Sequence, residues 1–450
     1  MPQINRLRKI GILGHYGVHN LGDEAIVTAV IQSVRRFLPD AAICCFCLYP
    51  DDTQQRHGVP SFPIRQVKGR SASGPARGRS GSIDADRLPI SVRERLKRVL
   101  RLVPGLLGLA RSVRHLLQKV GTMVREPLFL VQSAKHLIDV DLIVVAGSGQ
   151  LTSLFGGAFF FPFDLLKWTL LAKLTGTRVA FLSMGAGPIE TILSRRFIRL
   201  ALSMADYRSF RDNSARELIE RIGVRGSNPV FPDLAFNLRL SYSSKDPGCG
   251  GSRVLVGINP IPYYDYRYWP KTDAEKYQTY MRKLVQFSRW LIDEGYSVLF
   301  FGTTVNTDGL VVDDINAVLN ENSHFSPGSN LRRAQVSSVA EIVACMANCE
   351  MIVASRFHGV VIACIMGLPV IGLSYHPKTS DMMTYCGQGE YCLDIEKFDL
   401  ASIKETFTQL EKNRAAVRTQ LGHRTARLRE RLEAQYQELF CVQPGGAEAI

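Results

Sequence analysis

The stretch that most restricts the fold runs from Met351 to Lys378. It opens on Met351–Ala354, a short apolar run with Ile352 and Val353 at its centre, the pattern of a parallel strand buried on both faces. Gly359 starts an apolar segment of helical character that ends near Met366, Gly367-Leu368-Pro369 stops it, and residues 370–373 form a second buried run. Ser355, Arg356 and His358 fall between the first strand and the helix, and Lys378 lies just past the second strand. Open α/β sheets bind ligands outside the carboxyl ends of their strands. A helix N-terminus there favours an anion through its free N–H groups and its dipole. Taken singly, His358 suits a structural role and Arg356 a surface ion pair. Together with Lys378 they suggest a phosphate or carboxylate ligand.

The same punctuation recurs along the chain. Residues 10–13 read as a strand, Gly14 and Gly17 as a loop that allows close backbone approach, and the following helix runs to about Phe37 with Asn20, Gly22, Asp23 and Glu24 at its start. Asp23 suits a helix cap as well as a functional role. The loop matches neither the Gly-x-Gly-x-x-Gly fingerprint nor a Walker A loop, so dinucleotides and nucleoside triphosphates gain little support. Strands are expected at residues 41–48, 141–146 (closed by Gly147-Ser148-Gly149), 178–183 and 207–210, and helices at 164–174 and 194–204. Asp212 or Ser214 then caps a helix to Ile222. A second unit starts at residues 254–258, with a helix over 272–294, a strand over 297–301 and a helix over 339–348 before the first stretch described. A charged helical tail, residues 401–450, is expected to pack back across the first domain. The 450 residues exceed one ordinary core. The fold class is therefore α/β, with two Rossmann-like domains, residues 1–240 and 253–400, facing a cleft in the glycosyltransferase-B manner.

With 46% hydrophobic and 21% charged residues the chain has globular composition. Its ten Cys show no zinc-type pairing and suit reduced core thiols. The N-terminus carries no signal-like apolar region and no run approaches a membrane span, so a cytoplasmic location is expected. The net charge of +14 is concentrated: residues 65–125 hold 15 Lys or Arg against Asp84, Asp86 and Glu94. Residues 68–86 read as a Gly-, Ser- and Arg-rich loop, and residues 90–117 as a basic helix. That helix suits packing on its own domain or peripheral contact with anionic lipid at the inner face of the membrane. Without interleaved aromatic residues, no nucleic acid partner is expected.

Read in order, the chain resembles the polysaccharide pyruvyl transferase family. The matching stretches are Asn20 to Glu24, Gly147 to Leu151, Met184 to Pro188, Phe210 to Ser214 through Pro232-Asp233, and Ser355 to Gly359 through Tyr375 to Lys378. Ser148 replaces the middle member of a glycine triplet common in the family, and residues 65–125 look like an insertion to which nothing carries over. The resemblance implies transfer of the enolpyruvyl group of phosphoenolpyruvate to two hydroxyls of one sugar. The product is a pyruvate ketal in exopolysaccharide or cell-surface glycan biosynthesis, on an acceptor that is commonly lipid-linked. It places the donor site in the second domain and implies Arg211, Arg356 and Lys378 as donor-binding residues, with His358 as general acid and base. Asp23 and Glu24 fall on the acceptor side, and Ser355, Asn20 and Gly149 join the substrate-binding positions. Phosphoenolpyruvate is a substrate here; no cofactor and no metal are expected. A nucleotide-sugar glycosyltransferase of the same architecture is the alternative, with Arg356 and Lys378 on a diphosphate. A non-catalytic scaffold recruited through the basic segment is a third reading.

Overall fold

The computed structural model describes residues 7–66, 126–154, 156–240, 253–269, 272–305, 307–320 and 331–441. Apart from residues 65–66, the basic segment lies outside these, as do residues 241–252 between the two expected domains. Contacts divide the chain into Met1–Ile64 with Asp139–Ile450, and a second unit, Arg65–Ile138, in which residues 126–137 are helical.

The larger unit contains two sheets. The first holds β1 (Lys9–Leu13), β2 (Ala42–Cys47), β3 (Ser61–Pro63), β4 (Leu142–Ala146), β5 (Arg178–Met184) and β6 (Tyr207–Phe210). The second holds β7 (Leu255–Asn259), β8 (Ser297–Phe300), β9 (Leu331–Arg333), β10 (Met351–Ala354), β11 (Val370–Ser374) and β12 (Cys392–Asp394). The strand orders are β3-β2-β1-β4-β5-β6 and β9-β8-β7-β10-β11-β12, which is one topology used twice, and every pairing is parallel. All-parallel strands need cover on both faces, and β4, β7, β8 and β10 are accordingly buried at every residue. Two Rossmann-like domains follow directly.

The first sheet is connected by α1 (Leu21–Phe37), α2 (Pro50–His57), α3 (Phe161–Leu174), α4 (Ile192–Ser203) and α5 (Asn213–Arg221). The second carries α6 (Ala274–Asp293), α7 (Asp308–Asn320), α8 (Val339–Ala347), α9 (Phe357–Ile365) and α10 (Pro377–Tyr385). The tail is one helix, α11 (Leu400–Cys441). It starts on the second domain, where Phe407 meets Phe287, Trp290 and Tyr296, and crosses to the first, where Gln435 donates to Ser209 Oγ at 2.5 Å and Tyr436 meets Phe37. No helix among the described residues is long and apolar enough to cross a membrane.

In each sheet the strand order reverses between the first and fourth strands, β1 and β4 or β7 and β10, and a crevice opens there at the carboxyl ends. The loops at those ends meet: Leu21 N–H donates to Thr303 O at 2.9 Å, and Val305 N–H to His19 O at 3.1 Å. The glycine turns and the stretch 355–378 are thereby gathered at one cleft.

Candidate active site

Four groups proposed from sequence converge where α1, β6, α9 and α10 meet. Arg211 follows β6, and Lys378 lies in the first turn of α10. Both cations sit over the Phe357 ring, Arg211 Cζ at 4.6 Å from its centroid and Lys378 Nζ at 5.5 Å. A cation gains over an aromatic face, so the ring holds two charges in one place that would otherwise repel. Arg211 is also fixed by Asp233 at 3.3 Å and Asp212 at 3.4 Å, its side chain only 8% exposed. These residues line a cavity of about 520 Å³ with walls from both domains, Pro232 and Asp233 on one side and Asp381 and Met382 on the other.

His358, the second residue of α9, faces the same group. Its Nε2 has no hydrogen-bond partner and lies 3.9 Å from Asp233 Oδ2. Burial pushes the ring down to about 4; the Asp233 carboxylate opposes that shift, and the charges of Arg211 and Lys378 add to it. The unliganded site therefore holds a neutral imidazole beside two cations. Gly22 in the first turn of α1 makes the position possible, because a Cβ there would stand 2.1 Å from His358 Nδ1. Gly22→Ala would also bring its Cβ to 2.6 Å from His358 Cβ, so the ring and the start of its helix have to move. We expect the melting temperature to fall, by the about 1–3 kcal/mol that overpacking costs, and turnover to fall at least about 100-fold, read by circular dichroism and by product formation on the same sample.

Asp23 is the fourth group. Burial raises its carboxyl to about 6; a hydrogen bond from Ser148 opposes the shift, Glu24 and Asp233 add to it, and Lys378 opposes it. It does not cap α1: Asn20 does, accepting from Gly22 N at 3.2 Å while its amide donates to Asp23 Oδ2 at 2.7 Å. Both residues are short, polar and three apart, as in a capping box, and the cap falls to the one with extended backbone. Ser148 has φ +62°, a left-handed conformation that favours glycine. Its bond to Asp23 gives the serine a role that a glycine lacks.

The remaining positions lie elsewhere. Arg356 is bound to the buried Asp308, with Nε 3.0 Å from Oδ1, and lies over the Tyr268 ring, so it does not join Arg211 and Lys378. Asp308 also accepts from the Thr303 and Thr304 amides, and a carboxylate buried there requires the counter-charge that Arg356 supplies. The Ser355 hydroxyl pairs with Tyr280 OH at 2.7 Å in the core. Glu24 is buried, accepts from Gly17 N at 3.0 Å and pairs with His57 at 2.7 Å, which fixes the first glycine loop. Gly149 has open space where a Cβ would be. Two partners escaped the sequence reading: Asp233, seen only as part of a motif, and Asp308, 48 residues from its arginine.

A family model described as polysaccharide pyruvyl transferase matches residues 20–377. The chain is 20% identical over 411 residues to the amylovoran biosynthesis protein AmsJ of Erwinia amylovora, covering 88% of this chain and 90% of that one. Among solved structures it is similar to a putative UDP-N-acetylglucosamine 2-epimerase of Listeria monocytogenes, with TM-score 0.56, 10% identity and coverage of 98% and 99%. It is also similar to the UDP-GlcNAc 2-epimerase of Methanocaldococcus jannaschii, with TM-score 0.51, 12% identity and coverage of 90% and 92%. At such identities the structural likeness speaks for the shared two-domain fold alone. The match over residues 20–377 takes in most of both sheets and includes Asp23, Arg211 and His358, ending one residue before Lys378, and the chain belongs to the polysaccharide pyruvyl transferase family.

Proposed function

We propose that the protein transfers the enolpyruvyl group of phosphoenolpyruvate to two hydroxyls of a saccharide, forming a pyruvate ketal in exopolysaccharide or cell-surface glycan biosynthesis. The observation that carries this reading is the pair Arg211 and Lys378 over one ring, beside a neutral His358 with a free Nε2. Phosphoenolpyruvate brings about three negative charges near neutral pH. A planar guanidinium suits its carboxylate or phosphate bidentately and an ammonium suits it as a point charge. The α10 N-terminus adds a favourable dipole at Lys378. Arg356, already neutralised by Asp308, is assigned the orientation of the loops after β8 and β10.

The chemistry needs one proton delivered and two removed. The donor CH2 carbon takes a proton and becomes methyl, and the adjacent carbon, with oxocarbenium character, is attacked by the first sugar hydroxyl. Phosphate then leaves with the C–O bond electrons, and the second hydroxyl closes the ketal. Of the two hydroxyl protons, one replaces that spent on the methyl and one leaves on phosphate, so the sum balances. His358 is assigned the delivery, and Asp23, with a carboxyl near 6, the acceptance of a hydroxyl proton. The amylovoran relative supports a saccharide acceptor. A lipid-linked acceptor, a place in the cytoplasm and peripheral membrane contact through residues 65–125 belong to the same proposal.

The test is thermal denaturation with phosphoenolpyruvate and, separately, with nucleotide sugars. Ligand at 100 times its Kd adds about 2.7 kcal/mol, several degrees for domains of this size. A shift with phosphoenolpyruvate that Arg211→Ala removes supports the assignment. A shift with a nucleotide sugar alone overturns it in favour of glycosyl transfer.

A further inference from the structure

The first domain exposes apolar side chains at the same end of its sheet as the site. They come from two loops that are bound together: Ser153 N–H donates to Pro188 O at 3.0 Å, and Glu190 N–H donates to Ser153 Oγ at 3.0 Å. From the loop after β4 project Leu154, and Phe159 with 67% of its surface exposed; from the start of α4 project Ile192, 69% exposed, and Leu193. Phe159 is joined to both helices by ring contacts, 5.9 Å to Phe163 of α3 and 6.0 Å to Phe197 of α4. Large aliphatic and aromatic side chains exposed in one group mark an interaction surface rather than scattered surface residues.

The charge around this group is predominantly positive. Arg195, Arg196 and Arg199 on α4 are all exposed. Arg195 spends one donor on Ile189 O at 3.1 Å, and Arg196 and Arg199 have no acidic partner within ion-pair distance among the described residues. Glu190 is the single acid between residues 186 and 205. The inner face of α4, with Ile198, Ala201 and Leu202 buried, anchors it to the sheet, so the outer face is presented on a rigid element. Apolar residues at a helix start with arginines along the following turns are what an anionic bilayer takes up: the side chains enter the headgroup boundary and the guanidinium groups meet phosphates.

We infer that the surface formed by Leu154, Phe159, Ile192 and Leu193 with the α4 arginines docks the first domain on an anionic membrane. The loop that ends at Ile192 begins at Gly185, which packs against Arg211 so closely that a Cβ would lie 2.6 Å from Nη2. Docking at Ile192 therefore holds the mouth of the site near the lipid surface, where an acceptor on a lipid carrier would be presented. The inference does not depend on the identity of the donor.

The experiment is co-sedimentation of the full chain with vesicles of phosphatidylcholine alone and of phosphatidylcholine mixed with phosphatidylglycerol. Wild type is expected on the mixed vesicles and not on the neutral ones, with binding weakened by salt. Arg196→Glu combined with Arg199→Glu should lower partition by on the order of 30-fold, and Ile192→Glu with Leu193→Glu should do so with weaker salt dependence. Melting temperature and the phosphoenolpyruvate-induced shift should be unchanged in both, which separates this inference from the donor assignment. Either pair binding mixed vesicles like wild type overturns it. So does wild type that ignores vesicles but forms a dimer that the same substitutions dissociate, since the occupant is then a second copy of the chain.

Discussion

Arg211→Ala is expected to lower kcat/KM for phosphoenolpyruvate by about 100- to 1,000-fold, and Arg211→Lys by nearly as much. The reasoning starts from charge. A bidentate guanidinium contact to an oxyanion consists of two charge-assisted hydrogen bonds, each worth about 1.5–3 kcal/mol, and lysine reproduces the charge but not the fork. The ring of Phe357 aligns the guanidinium before any ligand arrives, so little of that energy goes into ordering the side chain. The alanine variant carries a second cost, because Asp233, with a side chain only 2% exposed, loses its counter-charge. Arg211→Ala should therefore melt at a lower temperature than wild type, whereas Arg211→Lys should not. A lysine variant that folds, melts like wild type and retains normal kcat/KM would remove Arg211 from the donor site. Arg356→Lys provides the contrast: held by Asp308, it should alter stability before it alters the donor KM.

Much of this arrangement was legible in the chain, and the parts that were not share a cause. The interior strands are apolar runs, so β1, β4, β5, β7, β10 and β11 are apparent from pattern alone, the first three with a glycine directly after them. The edge strands β3, β9 and β12 have three residues each and are only partly buried, so no apolar run marks them. The short α2 and α10 carry no strong apolar period either, and both went unread. At the site, His358 and Lys378 declare themselves because their element is read as strand–helix–strand. Arg356 looked equivalent to them on that reading. Its direction is set by Asp308, at the start of a helix that the pattern did not show, and long-range ion pairs leave no local trace. That two cations share the face of Phe357 is a property of the assembled cleft.

His358→Ala should lower turnover by about 100- to 10,000-fold and leave the fold and the donor Kd nearly intact, and the pH dependence supplies the sharper test. In the free site His358 titrates near 4, held down first by burial, with the positive field of Arg211 and Lys378 adding to it. A bound trianion cancels that field, so the imidazole should become more basic in the complex and take up a proton as the donor binds. Calorimetric titration in buffers of different ionisation enthalpy should then show net proton uptake between about pH 5 and 7, absent in His358→Ala. The sign for stability runs the other way. The folded value lies below the ordinary histidine value, so the neutral ring's contribution is present above about 6.5 and is lost as pH falls toward about 4. The wild-type protein without ligand should thus lose stability on acidification more steeply than His358→Ala, and donor binding should flatten the difference. If phosphoenolpyruvate binds with no proton uptake in wild type while His358→Ala remains inactive, the histidine positions substrate rather than carrying the proton, and Asp23, with its carboxyl near 6, becomes the group that both gives and takes it.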